Sequence, residues 1–263
     1  MCLEANKVNL GRQLDGTSRV TQNGEELGCM NALGCMAEYA VVPSISLVPI
    51  DHDIDLKVGA LVGCGVTTGV GAALNTADVQ PGSTVAVLGC GGVGLSVVQG
   101  ARIAGAKTII AIDKSPEKLE MAKGFGATDG ILADDDTVPN VKKLTDRLGV
   151  DYAFEVIGIP AVMELAYTIT RNGGKTIMVG LGNPKERLSF NALTFSLKAK
   201  EVCGCMYGSS NPPVDFPRML SFYKEGKLDL EGMITNTYTI DEAPAAFEAL
   251  IKGENARGVI TFE

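Results

Sequence analysis

The sequence predicts an α/β protein built on a doubly wound parallel sheet. Three observations carry that reading. Short apolar runs alternate with helix-like stretches from Pro81 onward. The turn after the first run is Gly89-Cys90-Gly91-Gly92-Val93-Gly94, a full G-x-G-x-x-G. The second run ends in an acid, Asp113, 19 residues after Gly94. Gly89 permits a tight turn, Gly91 allows backbone to approach a pyrophosphate, and Gly94 allows close packing of helix on strand. A helix opening there offers unpaired N–H groups and a partial positive charge to phosphates. A carboxylate at position 113 can accept both hydroxyls of an adenosine ribose and repels a 2′-phosphate, so NAD is favoured over NADP. Strand, glycine turn, helix, second strand and acid agree on a Rossmann unit that binds a dinucleotide.

In chain order, Ser18 to Leu27 predicts a hairpin around Asn23-Gly24. Glu38 to Val42 and Ser46 to Pro49, flanking Pro43, read as edge strands. Asp55 to Ala77 is small and Gly-rich and predicts two short helices. Thr84 to Leu88 is the first strand of the parallel sheet, Leu95 to Ala104 a helix, and Thr108 to Ile112 the second strand. Ser115 to Gly124 is an amphipathic helix, with Ser115 as N-cap and Pro116 in the first helical position. Strands follow at Ala127 to Leu132, Val150 to Ile157, Lys175 to Val179 and Val202 to Met206, with helices at Val138 to Leu148 and Ala161 to Ile169. Past Asn211-Pro212-Pro213 the expected elements are a helix over Phe216 to Glu225 and a strand over Tyr238 to Ile240. A helix from Glu242 to Lys252, N-capped by Asp241, and a strand from Val259 to Phe262 close the chain.

The chain has 263 residues, 46% hydrophobic and 21% charged, as in soluble globular proteins. Its net charge of −8 argues against nucleic acid or an anionic membrane as partner, since each calls for a basic face. No uninterrupted apolar run approaches membrane-spanning length, and the first 20 residues carry no signal-peptide core, so the expected location is cytoplasmic. The seven cysteines, Cys2, Cys29, Cys35, Cys64, Cys90, Cys203 and Cys205, have no framework spacing and suggest free thiols in a reducing compartment. Cys203 and Cys205 are explained by alternation on a buried strand. The single histidine, His52, stands outside any ligand motif.

Several stretches together resemble the medium-chain, zinc-dependent alcohol dehydrogenases. They are DGTSRVT (15–21), AEYAVV (37–42), LVGCGVTTGVGAALNTADVQPGS (61–83), LGCGGVGLS (88–96), IIAIDKSPEKLEMAKGFGATD (109–129), FEVIG (154–158), IMVGL (177–181) and ENARGVITF (254–262). The resemblance spans nearly the whole chain and includes the branch of the glutathione-dependent formaldehyde dehydrogenases. That branch has an arginine four residues after the cysteine matched by Cys2. Asn6 stands there instead, which counts against a glutathione-linked substrate.

The resemblance implies an NAD-dependent oxidoreductase that moves hydride between an alcohol/aldehyde pair and NAD, with zinc as Lewis acid. It makes Cys64 a catalytic-zinc ligand, and Cys2 the last of four structural-zinc cysteines whose other members do not appear. Thr68 becomes a catalytic and nicotinamide-side residue. For the cofactor it implies Gly89, Gly91, Gly92, Val93 and Gly94 at the pyrophosphate, with Arg257 as a further pyrophosphate partner. Asp113 is the ribose acceptor. Val156, Ile157, Val179, Gly180 and Leu181 fall on the nicotinamide side. Lys118 is either a basic neighbour of the ribose or a solvated helix charge. The family's first cysteine ligand, its histidine ligand and its proton relay fall before Met1, so the chain reads as a member lacking the N-terminal part of the catalytic domain.

The expected division is therefore residues 1–65 as the remainder of a GroES-like β-rich catalytic domain and 66–206 as the Rossmann domain. Residues 207–263 form a tail packing back on the first. Arg187 to Asn191 is strand-like, where related proteins pair sheets across a dimer, so a homodimer or higher homo-oligomer is expected. Two alternatives stand beside the dehydrogenase. One is a zinc-free, quinone-reductase-like enzyme; the other is a non-catalytic, dimerising NAD-binding remnant.

Overall fold

The computed structural model describes residues 11–262. Cys2 and Asn6 lie outside those residues. Strands β1 (Val20–Gln22) and β2 (Glu25–Leu27) pair antiparallel about Asn23-Gly24, whose φ values of 53° and 84° suit the mirror-image hairpin turn. The two edge strands expected between Glu38 and Pro49 do not form; only a 3-10 turn, Ser44–Ser46, interrupts that stretch. Tyr39, Val41, Ile45 and Leu47 all lie exposed, and an extended segment without a neighbouring strand gains no ladder.

The Gly-rich stretch is one helix, α1 (Leu56–Thr76), rather than two. Two π turns, Val62–Val66 and Ala72–Thr76, account for the irregular spacing. Asp55 caps it by accepting from the Lys57 N–H at 2.8 Å. By length and composition α1 would cross a membrane, but most of that stretch is buried inside the protein. Its small residues let it lie backbone-close on the helix after the glycine turn. A Cβ at Gly69 would collide with Ser96 and the Val93 carbonyl.

The central sheet joins β3 (Thr84–Leu88), β4 (Thr108–Asp113), β5 (Asp129–Leu132), β6 (Val150–Glu155), β7 (Thr170–Met178) and β8 (Glu201–Gly204). Their order is β5-β4-β3-β6-β7-β8, and every pairing is parallel. This is the doubly wound order, reversing direction between β3 and β6, where ligands of such sheets bind. The crossovers carry α2 (Gly92–Ile103), α3 (Pro116–Gly124), α4 (Thr137–Leu144), α5 (Pro160–Ile169) and α6 (Ala192–Leu197). Both sheet faces are covered. Val85, Val87 and Phe154 pack with α1 and α2, while Ala86, Leu88 and Ile110 pack with α4 and α5. α4 stops short of Leu148 because Asp146 and Arg147 take positive φ. The segment Arg187 to Asn191 is not a strand; Asn191 instead caps α6, accepting from the Thr194 N–H at 3.0 Å.

Beyond the sheet come α7 (Pro212–Lys224), β9 (Ile234–Thr239), α8 (Ala243–Lys252) and β10 (Arg257–Thr261), with β9 and β10 parallel. α7 starts earlier than expected, since prolines in a first helical turn surrender no hydrogen bond. Asp241 is not the N-cap of the next helical segment. Thr239 and Glu242 form a capping box around the turn that leads into α8. Met219, Leu220, Leu228, Leu230 and Met233 enter the same core as Val66, Val70 and Val97. Lys224 adds ion pairs of 2.8 Å to Asp51 and Asp53.

Phe154, fully buried at the centre of the sheet, is the largest test of that core. Phe154→Ala is expected to cost about 3–5 kcal/mol, lowering the urea midpoint with little change in slope.

Candidate dinucleotide-binding site

The site forms where the sheet reverses. Gly89 leaves β3 at φ +101°, a conformation that excludes ordinary side chains. Gly91 is the N-cap of α2, and nothing lies within 4 Å of where its Cβ would stand, so that side of the turn is open. A Cβ at Gly94 would strike the Gly89 carbonyl. The three glycines thus do separate jobs, and the 12-residue α2 aims its N-terminus at the open side.

Asp113 ends β4 beside this turn. One carboxylate oxygen accepts from the Cys90 N–H at 2.7 Å and the other from the Ser115 N–H at 3.0 Å. The acid is held in place by backbone at both ends, and each oxygen keeps lone pairs for a further donor. Lys118, in the first turn of α3, stands with its ammonium against Gly253 at the left-handed C-cap of α8. Cys90 is buried inside the glycine turn, and burial first, then the charge of Asp113, push its thiol up to about 12.

Arg257 reaches the turn from the opposite end of the chain. Its guanidinium lies over Gly92 and over Gly65 of α1, filling the space a Cβ at either position would need. Nε and Nη2 are buried with no hydrogen-bond partner. Burial lowers its pKa, while Cys64 acts in the opposite direction. A buried cation with unsatisfied donors beside a helix N-terminus is arranged to receive an anion. The Tyr207 hydroxyl donates to the Gly63 carbonyl at 2.5 Å, beside Cys64.

On the other side of the switch, Val156 packs over Gly94, and both Val156 and Ile157 press on Gly89. Gly158 and Gly180 touch backbone to backbone, and Gly158 also meets Leu181. Val179 is buried, whereas Ile157 and Leu181 are exposed. Thr68 lies half-buried on α1, four residues beyond Cys64. The fold therefore gathers Gly89, Gly91, Gly92, Val93, Gly94, Asp113, Val156, Ile157 and Arg257 around one turn. It places Val179, Gly180 and Leu181 on the adjoining loop.

The metal expectation fares differently. Cys64 is exposed, and among the described residues no group of three or more His, Cys, Asp or Glu side chains stands ready to hold a metal. A single cysteine cannot hold zinc, and the described residues do not form a zinc site by themselves. Cys203 and Cys205 fall at β8, half-buried and buried.

Three residues of the site were not singled out from sequence. Gly65 and Tyr207 carry no local signal. Glu155 does: an acid inside the apolar run Tyr152-Ala153-Phe154-Glu155-Val156-Ile157 is out of place on a buried strand.

Known proteins share this fold. The profile described as "Zinc-binding dehydrogenase" matches residues 92–225. The chain is 40% identical over 258 residues to an S-(hydroxymethyl)glutathione dehydrogenase of Escherichia coli, covering 96% of this chain and 69% of the relative. It is 35% identical over 251 residues to alcohol dehydrogenase B of Mycobacterium tuberculosis, covering 94% and 67%. The chain belongs to the zinc-binding dehydrogenase family. It is also 38% identical over 254 residues to alcohol dehydrogenase-like 5 of Arabidopsis thaliana, covering 95% of this chain and 65% of that protein. Benzyl alcohol dehydrogenase from Acinetobacter calcoaceticus superposes with a TM-score of 0.89 at 28% identity, covering 100% of this chain and 74% of that one. The chain thus spans about two thirds of the length of the curated relatives it matches.

The buried Cys90 gives a direct test of the turn. Below about 9 the thiol is favoured in both states, and the stability this contributes is lost as pH rises towards about 12. At pH 8, alkylation followed by mass spectrometry is expected to label Cys35 and Cys64 in the native protein and Cys90 only after urea unfolding.

Proposed function

We propose that this chain binds NAD and serves an NAD-dependent alcohol dehydrogenase, in which hydride passes between an alcohol/aldehyde pair and the cofactor. The observation that carries this reading is Arg257. Its unpartnered donors meet the N-terminus of α2 at the reversal of a doubly wound sheet. An anion there satisfies donors that otherwise stay buried and unpaired, each costing about 1–3 kcal/mol. A pyrophosphate supplies the charge and the acceptors, and the open face of Gly91 leaves room for it.

The remaining residues orient the molecule. Asp113, fixed by two backbone N–H groups, is placed to accept the ribose hydroxyls and to repel a 2′-phosphate. Across the switch point, Val156, Ile157 and the 179–181 loop would line the nicotinamide half. When bound, NAD supplies the hydride-accepting ring. The chain contributes the phosphate grip, the ribose grip and an apolar wall. Relatives named as alcohol and S-(hydroxymethyl)glutathione dehydrogenases support an alcohol/aldehyde substrate.

A second reading is favoured by the lack of a three-ligand group around Cys64 among the described residues: a chain that binds NAD without turnover of its own. Metal analysis, calorimetric titration and a turnover assay on one sample test both. Both readings expect NAD binding with well under one zinc per chain. Both expect little or no turnover by this chain alone, since one cysteine cannot hold zinc in a catalytic geometry. Robust zinc-dependent turnover would overturn the second reading. About one tightly held zinc would overturn the account of Cys64 as a lone ligand. The wild-type chain is expected to prefer NAD to NADP. Like charges in contact cost several kcal/mol, so Asp113→Asn should narrow that preference by roughly 10- to 100-fold. An unchanged ratio would remove Asp113 from the ribose site.

A further inference from the structure

Glu155 ends β6 at the switch point, paired in register with Leu88 of β3 and Met178 of β7. It is fully buried, and a buried carboxylate without a cation is costly unless other donors meet it. Burial raises its carboxyl above the ordinary range, opposed by the backbone N–H groups of Gly158, Ile157 and Ile159. Oε1 accepts from the Ile157 N–H at 2.9 Å and the Gly158 N–H at 2.7 Å, while Oε2 is buried with no partner. The main-chain carbonyl of the same residue accepts from the Val179 N–H at 2.8 Å and the Gly180 N–H at 3.0 Å.

One residue therefore holds the amides of two strand-end loops. Its side chain curls the 156–158 loop back on itself, and its backbone ties down the start of the 179–181 loop. The loops then touch without side chains between them. A Cβ at Gly180 would strike the Gly158 nitrogen, and Gly158, at φ +91°, rests on Leu181. Val156 and Ile157, carried by the first loop, press on Gly89 of the phosphate turn. Asp113 sits on the far side of β3, its carboxylate held by the Cys90 and Ser115 N–H groups.

We propose that Glu155 is a positioning residue for the nicotinamide half of the cofactor. It sets the wall formed by Val156, Ile157, Val179, Gly180 and Leu181, and leaves the adenosine half to Asp113. The inference rests on the NAD-binding reading above. A purely structural acid would weaken every nucleotide alike; a positioning acid splits the two halves.

The test is calorimetric titration of the full 263-residue chain with NAD and with AMP, on Glu155→Ala, Glu155→Gln and Gly180→Ala. Losing two charge-assisted hydrogen bonds should weaken NAD by about tenfold or more in Glu155→Ala while AMP stays within about twofold. Glu155→Gln keeps an acceptor for the Ile157 and Gly158 amides and should restore NAD to within about threefold of wild type. Gly180→Ala pushes the loops apart from the other side and should repeat the split with the carboxylate intact; it decides the matter if Glu155→Ala does not fold. Equal weakening of NAD and AMP, unchanged NAD in Gly180→Ala, or a Gln variant as weak as Ala would overturn the inference and leave NAD binding standing. A wild-type chain that binds neither nucleotide would overturn the cofactor reading and this inference with it.

Discussion

The site depends on one close contact, Gly94 against the carbonyl of Gly89. No side chain fits between them, so α2 begins hard against the end of β3. Its first N–H groups face the open side of the turn rather than the sheet. Any larger residue at 94 would tilt the helix away and turn those donors from the open side. The parallel sheet supplies the frame, but this contact gives the frame a direction.

From that point other elements converge. α1 lies close enough to α2 for Gly69 to meet Ser96, which brings Gly65 beside Gly92. The slot between those glycines takes the guanidinium of Arg257, delivered by the first residue of β10. The C-terminal segment can deliver it because Met219, Leu228, Leu230 and Met233 are buried in the same core as α1 and α2. Hydrophobic burial thus stabilises a cation in a place where it is electrostatically unfavourable alone. The resulting deficit in hydrogen bonds is what an anionic ligand relieves.

Charge is distributed unevenly over the site. The glycine turn holds a cation and a helix N-terminus, while the end of β4 and the switch point each hold an acid, Asp113 and Glu155. Both acids are met by backbone N–H groups rather than by a lysine or arginine. Amide donors fix a carboxylate in position without neutralising it. Among the described residues Asp113 stays free of a cationic partner in its own place, and Glu155 can lock a loop where a long cationic side chain would not fit.

By itself the sequence determined the alternation of strands and helices, the G-x-G-x-x-G turn, Asp113 at the end of its strand and the hairpin at Asn23-Gly24. These are local: a turn dipeptide, a period, a terminal acid. Tertiary structure decided the rest. Glu38 to Pro49 carries a strand-like pattern but forms no strand, because an extended segment is stabilised by a neighbour it does not have among the described residues. The Gly-rich stretch reads as two helices but is one, because packing on α2 compensates for what glycine costs a helix. Arg257 was named only through resemblance, and Gly65 not at all, since their meeting joins positions separated by most of the chain. Cys64 shows the opposite limit: its motif is legible, but a metal site is a meeting of several side chains, and the described residues assemble no group of three or more such ligands.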